Sequence, residues 1–164
     1  MAFDAFLKID TIPGESTDDK HKDWIAVESF SHSVAQKGAG ERSKGVSTSG
    51  RTDHSDFTIV KNLDKASPKL ALSCSNGEHI AGVKLELWRA GKDKIKYMEY
   101  KLSDVIVTSV RPSGSTSDEH HVPQEEVGFN YGKIEWVYTE MDHKTGKAKG
   151  DVKTSWSLVE NKGG

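Results

Sequence analysis

The stretch AGVKLELWRAGKDKIKYMEYKL (81–102) contains two segments of alternating apolar and polar residues joined by a polar loop. In the first segment, Val83, Leu85 and Leu87 share one parity, with charged or aromatic residues between them. A period of two residues is typical of a β-strand that buries one face. The intervening AGKD (90–93) is turn-like, so the stretch predicts an antiparallel hairpin.

The same alternation recurs along most of the chain. Further alternating segments are AFDAFLKID (2–10), WIAVESFSHSV (24–34), DFTIVKNL (56–63), EVGFNYGKIEWVYTE (126–140) and DVKTSWSLVE (151–160). Val152, Thr154, Trp156 and Leu158 are predicted to share one side, and Gly132 is predicted to mark a bend. About eight short strands separated by turn signals predict a mainly β fold, a two-sheet barrel or sandwich.

One segment departs from this period and predicts a single α-helix. In ASPKLALSCSNG (66–77), Ser67 is a candidate N-cap and Pro68 fits the first helical position, where no backbone N–H is needed. Gly77 is placed to end the helix in the left-handed region. We therefore expect a helix of about three turns from Ser67 to Asn76, packed at the side of the sheets.

The segments DVIVTSV (104–110) and KYMEY (96–100) carry apolar residues on both parities. A strand with one wet face should be apolar on one parity only. Either the helix covers the second face or another subunit does, and the pattern leaves both possibilities open.

A row of small hydroxyls occupies one parity of the strand at 24–34. Ser29, Ser31 and Ser33 follow Ile25 and Val27 on the same side. A core face would be apolar there, and an ordinary wet face would more often carry Lys or Glu. The row indicates that something covers this face and accommodates neither apolar residues nor Lys or Glu.

Composition narrows the class of protein. A chain of 164 residues fits one domain, 1–164, and the balance of 23 basic against 25 acidic residues argues against nucleic acid as the main partner. The single cysteine, Cys74, excludes an internal disulfide. No segment has the ~18 apolar residues of a membrane helix, and no leader is recognisable. We expect cytosolic folding, and any export to use a route that reads no cleavable signal.

The sequence carries almost no catalytic or metal-binding pattern, so neither a cofactor nor a metal is expected. DDKHKD (18–23), which includes His21, matches no standard metal spacing and predicts a hydrated turn. The histidines at 120–121 are adjacent in a polar loop, a spacing that does not predict a shared metal ion. Two alternatives stay open: a hydrolase that uses a serine with His54 and Asp56, and a monomeric barrel that binds a small ligand among the tryptophans.

The segment AQKGAGERSKGVSTSGRTDHSD (35–56) contains four glycines and almost no apolar side chain. Such a pattern predicts a long loop without secondary structure. Loops of this length in compact domains usually bind a partner or are disordered.

Four segments, in this order along the chain, together resemble one family. They are AFDAFLKID with GESTDDKHKDWIAVESFS (2–31), LDKASPKLALSCSNGEHI (63–80), VKLELWRAG (83–91) and NYGKIEWVYTEMD (130–142). Together they are similar to the Hcp proteins, the tube proteins of bacterial type VI secretion systems. The similarity runs from Met1 to about Leu158.

The resemblance implies two sheets forming a small barrel with a helix at its side, and six protomers forming a ring around a wide opening. Rings of the family stack into a tube inside a contractile sheath, which works with the spike protein VgrG and the baseplate. The ring carries small secreted effectors, without catalysis. The protein would therefore begin in the cytoplasm and leave through the type VI apparatus. Because the chain ends soon after its last predicted strand, we expect a structural carrier form without an appended toxin domain.

The resemblance also suggests roles for particular residues. Ser29, Ser31 and Ser33 would lie where side chains approach the lumen and bind effectors. The glycine-rich loop would reach the adjacent ring. Its candidate contact residues are Gly40, Glu41, Arg42, Lys44 and Arg51.

Overall fold

The computed structural model describes residues 2–38, 49–119 and 122–164. Its elements are β1 (Phe3–Ile9), β2 (Ile25–Val27), β3 (Ser29–Ser31), β4 (Val34–Gly38), β5 (Ser49–His54), β6 (Phe57–Asn62), α1 (Ser67–Asn76), β7 (His79–Arg89), β8 (Lys96–Ser113), β9 (Gln124–Met141), β10 (Ala148–Ser157) and β11 (Lys162–Gly163). The prediction of a mainly β fold with one helix is confirmed over these ranges.

Antiparallel pairing joins nine strands into one sheet that surrounds a common core without closing, and we call this open barrel the barrel. The main sheet has the order β11-β10-β9-β8-β7-β1-β2, and β6 pairs with both β9 and β3. Only Glu28 separates β2 from β3, and its N–H bonds the carbonyl of Val60 on β6 at 2.8 Å. This bent segment therefore links β1 on one side to β6 on the other. The predicted hairpin at 81–102 is present as β7 and β8.

The core lies between these strands and is built from their inward parity. The largest apolar side chains with almost no exposed surface are Phe57, Phe129, Leu7, Ile25, Ile59, Leu70, Leu85, Ile134, Val105, Val107 and Val127. Complete burial of such a side chain stabilises the fold by about 1.5–3 kcal/mol relative to leaving it in water. The apolar residues that alternate along the strands therefore provide most of the hydrophobic stabilisation of the fold.

Two strands are much longer than the short strands expected. β8 and β9 have 18 residues each, and their inward parity changes along the way. On β8, Leu102 and Val105 are both buried although they are three residues apart. Between them Asp104 has φ 53°, and a Cβ at Gly132 on β9 would lie 3.1 Å from the Asp104 carboxylate. Gly132 therefore permits the shift, which bends both strands.

The helix has the bounds that the sequence predicts, Ser67–Asn76. Pro68 lies in its first turn, and Gly77 ends it with φ 67° and a backbone bond to the carbonyl of Ser73. The predicted N-cap is wrong: Ala66 holds that position and no side chain caps the helix.

Ser67 instead belongs to a buried polar cluster at the start of the helix. Its hydroxyl donates to Glu125 Oε1 at 2.7 Å and accepts from the Asp64 backbone N–H at 3.0 Å. Lys61, with no exposed surface, pairs with Glu125 and with Asp64 at 2.8 Å. The cluster ties α1 to β6 and β9.

The helix packs against β8, where the segment 104–110 had apolar residues on both parities. Val105 and Val107 are buried in the core, and Ile106 between them is half-buried. Of the two explanations left open, a covering helix therefore accounts for part of this segment.

The prediction that residues 35–56 lack secondary structure is wrong at both ends of the segment. β4 and β5 form a separate two-stranded sheet in which Val34 pairs with His54, Ala35 with Asp53 and Gln36 with Thr52. The segment is polar because β4 and β5 pair only with each other, so it shows no alternation of core and surface residues. Residues 39–48 lie outside the described ranges.

His21 contradicts the hydrated turn predicted at 18–23. The side chain is 2% exposed and stacks on Phe6 with ring centroids 4.2 Å apart. Its Nδ1 lies 2.7 Å from Asp18 Oδ2 and its Nε2 3.4 Å from Glu86 Oε2. The loop therefore folds over the outer face of β1 and β7, with His21 as its anchor.

Metal clusters and membrane-spanning helices can be assessed for the described residues. Among them no group of three or more His, Cys, Asp or Glu is arranged to hold a metal ion. Across the same ranges no helix is both long and apolar enough to cross a membrane.

Candidate assembly surface

Three neighbouring strands carry an apolar face that becomes uncovered away from the barrel. Cross-strand rows run over β8, β9 and β10 in the order Leu102–Ile134–Trp156, Tyr100–Trp136–Thr154 and Met98–Tyr138–Val152. Ile134 in the first row has no exposed surface, whereas Tyr138 and Val152 in the last are 48% and 62% exposed. We call Met98, Trp136, Tyr138 and Val152 the apolar strip. The prediction that Val152, Thr154, Trp156 and Leu158 share a side is confirmed for the first three, which lie on β10, whereas Leu158 follows the end of that strand.

A shallow groove of about 690 Å³ continues the strip at the strand ends. Besides Tyr138 and Val152, it is lined by Ala2, Arg89, Tyr97, Glu140, Met141, Asp142, His143 and Gly146. Burial of apolar surface is favourable by about 25 cal/mol per Å². The exposed side chains of the strip do not gain this free energy in the single chain. The strip and groove therefore form a surface that a partner with apolar side chains would stabilise.

The opposite face of the same strands is charged. Lys101 lies 3.4 Å from Glu99 and 3.6 Å from Glu135, and Lys153 lies 3.2 Å from Glu135. Burial alone would raise the pKa of Glu99, but the hydrogen bond and charge of Lys96 and the charge of Lys101 hold it below its ordinary value. Within the segment KYMEY, Tyr97 and Met98 lie on opposite parities and both pack against the core cluster, so the apolar residues on both parities are partly buried, as the sequence pattern indicated.

The C-terminal residues cover Trp156, at the end of the row nearest the barrel. β11, which the sequence did not predict, pairs with β10 at Trp156 and Ser157. A Cβ at Gly163 would lie 2.7 Å from the Trp156 ring, so this backbone packs directly on the indole. Among the described residues the Trp156 Nε1–H has no hydrogen-bond partner. β11 therefore limits the apolar strip to the two outer rows.

The serine row lies on a different surface. Ser29 and Ser31 on β3 are exposed and pair with Val60 and Thr58 of β6. Ser33, also exposed, follows the strand, and its backbone bonds Ser55 in both directions. The three serines are exposed although they share the parity of the buried Ile25 and Val27, because the inward side of the chain changes at Glu28.

The serines lie at the edge of a wider polar face that the sequence analysis missed. Next to Thr58, the Asp56 carboxylate accepts from Thr108 Oγ1 at 2.8 Å and from Asn130 Nδ2 at 3.4 Å. The available signal was parity, since these residues alternate with core residues of β6, β8 and β9. Such a face offers hydroxyl and amide groups for hydrogen bonding.

The remaining predicted site residues divide between described and undescribed parts of the chain. Arg51 is exposed on β5. Gly40, Glu41, Arg42 and Lys44 lie outside the described ranges, as do the histidines at 120–121.

The residues of the alternative hydrolase do not form a catalytic pair. His54 Nδ1 contacts the Tyr131 hydroxyl at 3.2 Å. The Asp56 carboxylate instead bonds Thr108 and Asn130. A triad needs the carboxylate to orient the imidazole, so this geometry does not favour the hydrolase.

Comparison with known proteins gives a consistent result. A family model described as "Type VI secretion system effector, Hcp" matches residues 6–138. Protein hcp1 of Pseudomonas aeruginosa is 31% identical over 162 residues, 98% of each chain. A solved structure of a type six secretion system protein is 35% identical, with a TM-score of 0.93 over 99% of this chain and 100% of the other. Hcp1 from Salmonella typhimurium is 31% identical, with a TM-score of 0.81 over 99% of both chains.

Proposed function

The chain belongs to the Hcp family of type VI secretion proteins, and from this premise we propose that it forms hexameric rings that stack into the expelled inner tube. Residues 1–164 act as one structural domain, without catalysis. The protein is made in the cytoplasm and exported through the type VI apparatus with the spike protein VgrG inside the contractile sheath.

The apolar strip is the observation that supports ring formation. In a closed ring every interface is heterologous, so one patch of a protomer meets a different patch of the next. An uncovered apolar face backed by a charged one provides a single side for such a contact. The neighbouring protomer would cover Tyr138 and Val152 and leave the charged face in water.

Paired charge substitutions in the strip test the ring. We expect Tyr138→Asp with Val152→Asp to convert a species with the mass of six chains into folded monomers, measured by size exclusion with light scattering. Val159→Asp is the matched control, since Val159 is 76% exposed but lies after β10, outside the strip. A wild-type protein that stays monomeric at high concentration would instead favour the small-ligand barrel.

The polar face with Ser29, Ser31 and Ser33 is proposed to line the lumen and bind small effectors. Small uncharged hydroxyls give a wet wall that binds varied cargo weakly. We expect Ser31→Gln to reduce co-purification and export of effectors while leaving the ring mass unchanged. Ser103→Gln, at an exposed position on β8, is the control. Unchanged retention in Ser31→Gln would remove Ser31 from the lumenal surface.

The β4–β5 hairpin and the residues between its strands are proposed to contact the adjacent ring, through Gly40, Glu41, Arg42, Lys44 and Arg51. The exposed position of Arg51 supports this role. Exposed ion pairs contribute only about 0–1 kcal/mol each, but sixfold repetition multiplies them when all six engage together.

A further inference from the structure

The β4–β5 hairpin is attached to the barrel at a cluster of two histidines and a tyrosine. His32 precedes β4 by two residues, and His54 is the last residue of β5. His32 Nε2 and His54 Nδ1 both contact the hydroxyl of Tyr131, a buried residue of β9. Both ends of the hairpin therefore reach the barrel through one hydroxyl group.

The hydrogen bonds of this cluster are satisfied when both imidazoles are neutral. The Tyr131 hydroxyl donates its proton to the carbonyl of Ser55 at 3.3 Å. Its two lone pairs then accept from the N–H groups of His32 and His54, which fixes the tautomer assigned to each ring. A second proton on either ring adds a positive charge and no further bond within the cluster.

The surroundings disfavour that charge. His32 stacks on Phe57 with centroids 5.3 Å apart, and Trp136 lies 6.3 Å from His54. The two imidazole centroids are 6.0 Å apart, so each positive ring would repel the other. These aromatic walls replace the water that would stabilise two imidazolium ions.

The charged and titratable groups nearby do not offset this cost. Burial, and then the charge of His54, lower the pKa of His32. Burial also lowers the pKa of His54, against a smaller opposing effect of Asp53 on the same strand. On the barrel side, burial and then the charge of Asp56 raise the pKa of Tyr131, and the Asp56 carboxylate is itself bonded to Thr108 and Asn130.

We propose that His32, Tyr131 and His54 form an acid-sensitive latch that holds the base of the β4–β5 hairpin on the barrel at neutral pH and releases it when both histidines are protonated. The released hairpin binds more protons than the seated one, so seating weakens as pH falls below the ordinary histidine value of 6.5. This inference concerns the hairpin alone and does not depend on ring stacking.

Hydrogen exchange at the base of the hairpin tests the latch. The Ser55 N–H bonds the Ser33 carbonyl at 3.0 Å, and the Ser33 N–H bonds Ser55 Oγ at 2.8 Å. With the assembled protein, we expect protection of these two amides, corrected for intrinsic rate, to fall on the order of tenfold or more from pH 7.5 to 5.5. Amides of β1 and β7 should keep their protection and serve as the internal reference.

Matched variants separate the histidines from other acid effects. Gln places an Nε2 donor and Asn an Nδ donor where the imidazoles have theirs, so His32→Gln with His54→Asn should make protection independent of pH. His79→Gln, at an exposed histidine outside the cluster, should keep the wild-type pH dependence. Wild-type protection that does not change with pH, or a double variant that retains the full dependence, would overturn the latch.

Single variants keep the test decisive if the double variant does not fold. In His54→Asn alone, only His32 can take up a proton when the hairpin is released. The number of protons linked to release, read from the slope against pH, should therefore fall from two to one. An unchanged slope in this variant would contradict the paired protonation.

Discussion

Lys61 is a charged side chain with no exposed surface, and its ammonium group is matched by Glu125 and Asp64. Replacing one partner of a buried ion pair leaves the other charge without compensation, which costs about 3–5 kcal/mol. We expect Lys61→Met to lower the free energy of unfolding by about this amount, measured by chemical denaturation.

The control for this substitution is Lys65→Met, since Lys65 is exposed and only four residues away. Its effect should stay within about 0.5 kcal/mol. Adding Glu125→Gln to Lys61→Met should recover part of the loss. Similar effects of Lys61→Met and Lys65→Met would show that the buried cluster contributes little.

Asp18 gives the loop at 14–24 a dependence on acid pH. Hydrogen bonds from Lys94 and then His21 lower the pKa of this carboxyl from 3.8 to about 2. Because the folded-state pKa is depressed, its stabilising effect is complete above 3.8 and disappears as pH falls towards about 2. We therefore expect Asp18→Asn to be less stable than wild type at neutral pH.

Thermal unfolding across pH 2–7 measures this difference. The gap between wild type and Asp18→Asn should close as pH falls from about 4 to about 2. Asp19→Asn, at the exposed neighbouring position, should follow the wild-type curve. A gap that persists at the lowest pH would mean that the carboxylate charge is not what stabilises the loop.

At the scale of elements, the loop between β1 and β2 depends on close approach of its backbone to β2. A Cβ at Gly14 would lie 2.5 Å from the Trp24 carbonyl oxygen and 2.7 Å from the Ile25 Cα. We expect Gly14→Ala to destabilise the fold by about 1–3 kcal/mol, since backbone atoms must move to admit the methyl group.

The matched control is Gly150→Ala on β10, where an added Cβ meets nothing within 4 Å. Denaturant midpoints of the two variants give the comparison. Equal midpoints would show that the loop adjusts without cost.

Local signals explain which elements the sequence predicted. The helix bounds were correct because Pro68 and Gly77 act within one turn of each end. β4 and β5 were missed because their pairing joins residues between 11 and 20 positions apart and buries no apolar side chain. His21 was missed because its partners Phe6 and Glu86 come from distant strands, while its own neighbours are charged.

For the candidate surfaces, the sequence could predict only which residues of a strand lie on the same side. Alternation put Val152 and Trp156 on one side, but only the register with β9 reveals that exposure increases towards Tyr138. The hydroxyl groups of the three serines, and not their parity, indicated that these residues lie outside the core. That they border Thr58 depends on the pairing of β3 with β6, which no local pattern determines.

At the scale of the whole molecule, two kinds of contact should respond differently to salt. Raising ionic strength from about 0.1 to 1 M shortens the Debye length from about 10 to about 3 Å and screens exposed ion pairs. Apolar contacts at the strip are not weakened in this way. We expect stacks to dissociate into intact rings at high salt, seen by sedimentation velocity.

Arg51→Glu should reproduce the high-salt result at low salt, because it reverses an exposed charge of the hairpin. Lys149→Glu on β10, also exposed, is the control. Rings that fall into monomers at the salt concentration that separates the stacks would contradict this division of contacts.

The bend at Asp104 and Gly132 has a mechanical consequence. β8 and β9 pass through it without a break, so the same two strands line the core at one end and present the apolar strip at the other. A pull on the strip directed along these strands would meet many backbone hydrogen bonds in shear, all strained at once. A force that pulled the strands apart from one end would instead break these hydrogen bonds one after another. A protein expelled by sudden contraction would therefore resist tearing best along this axis.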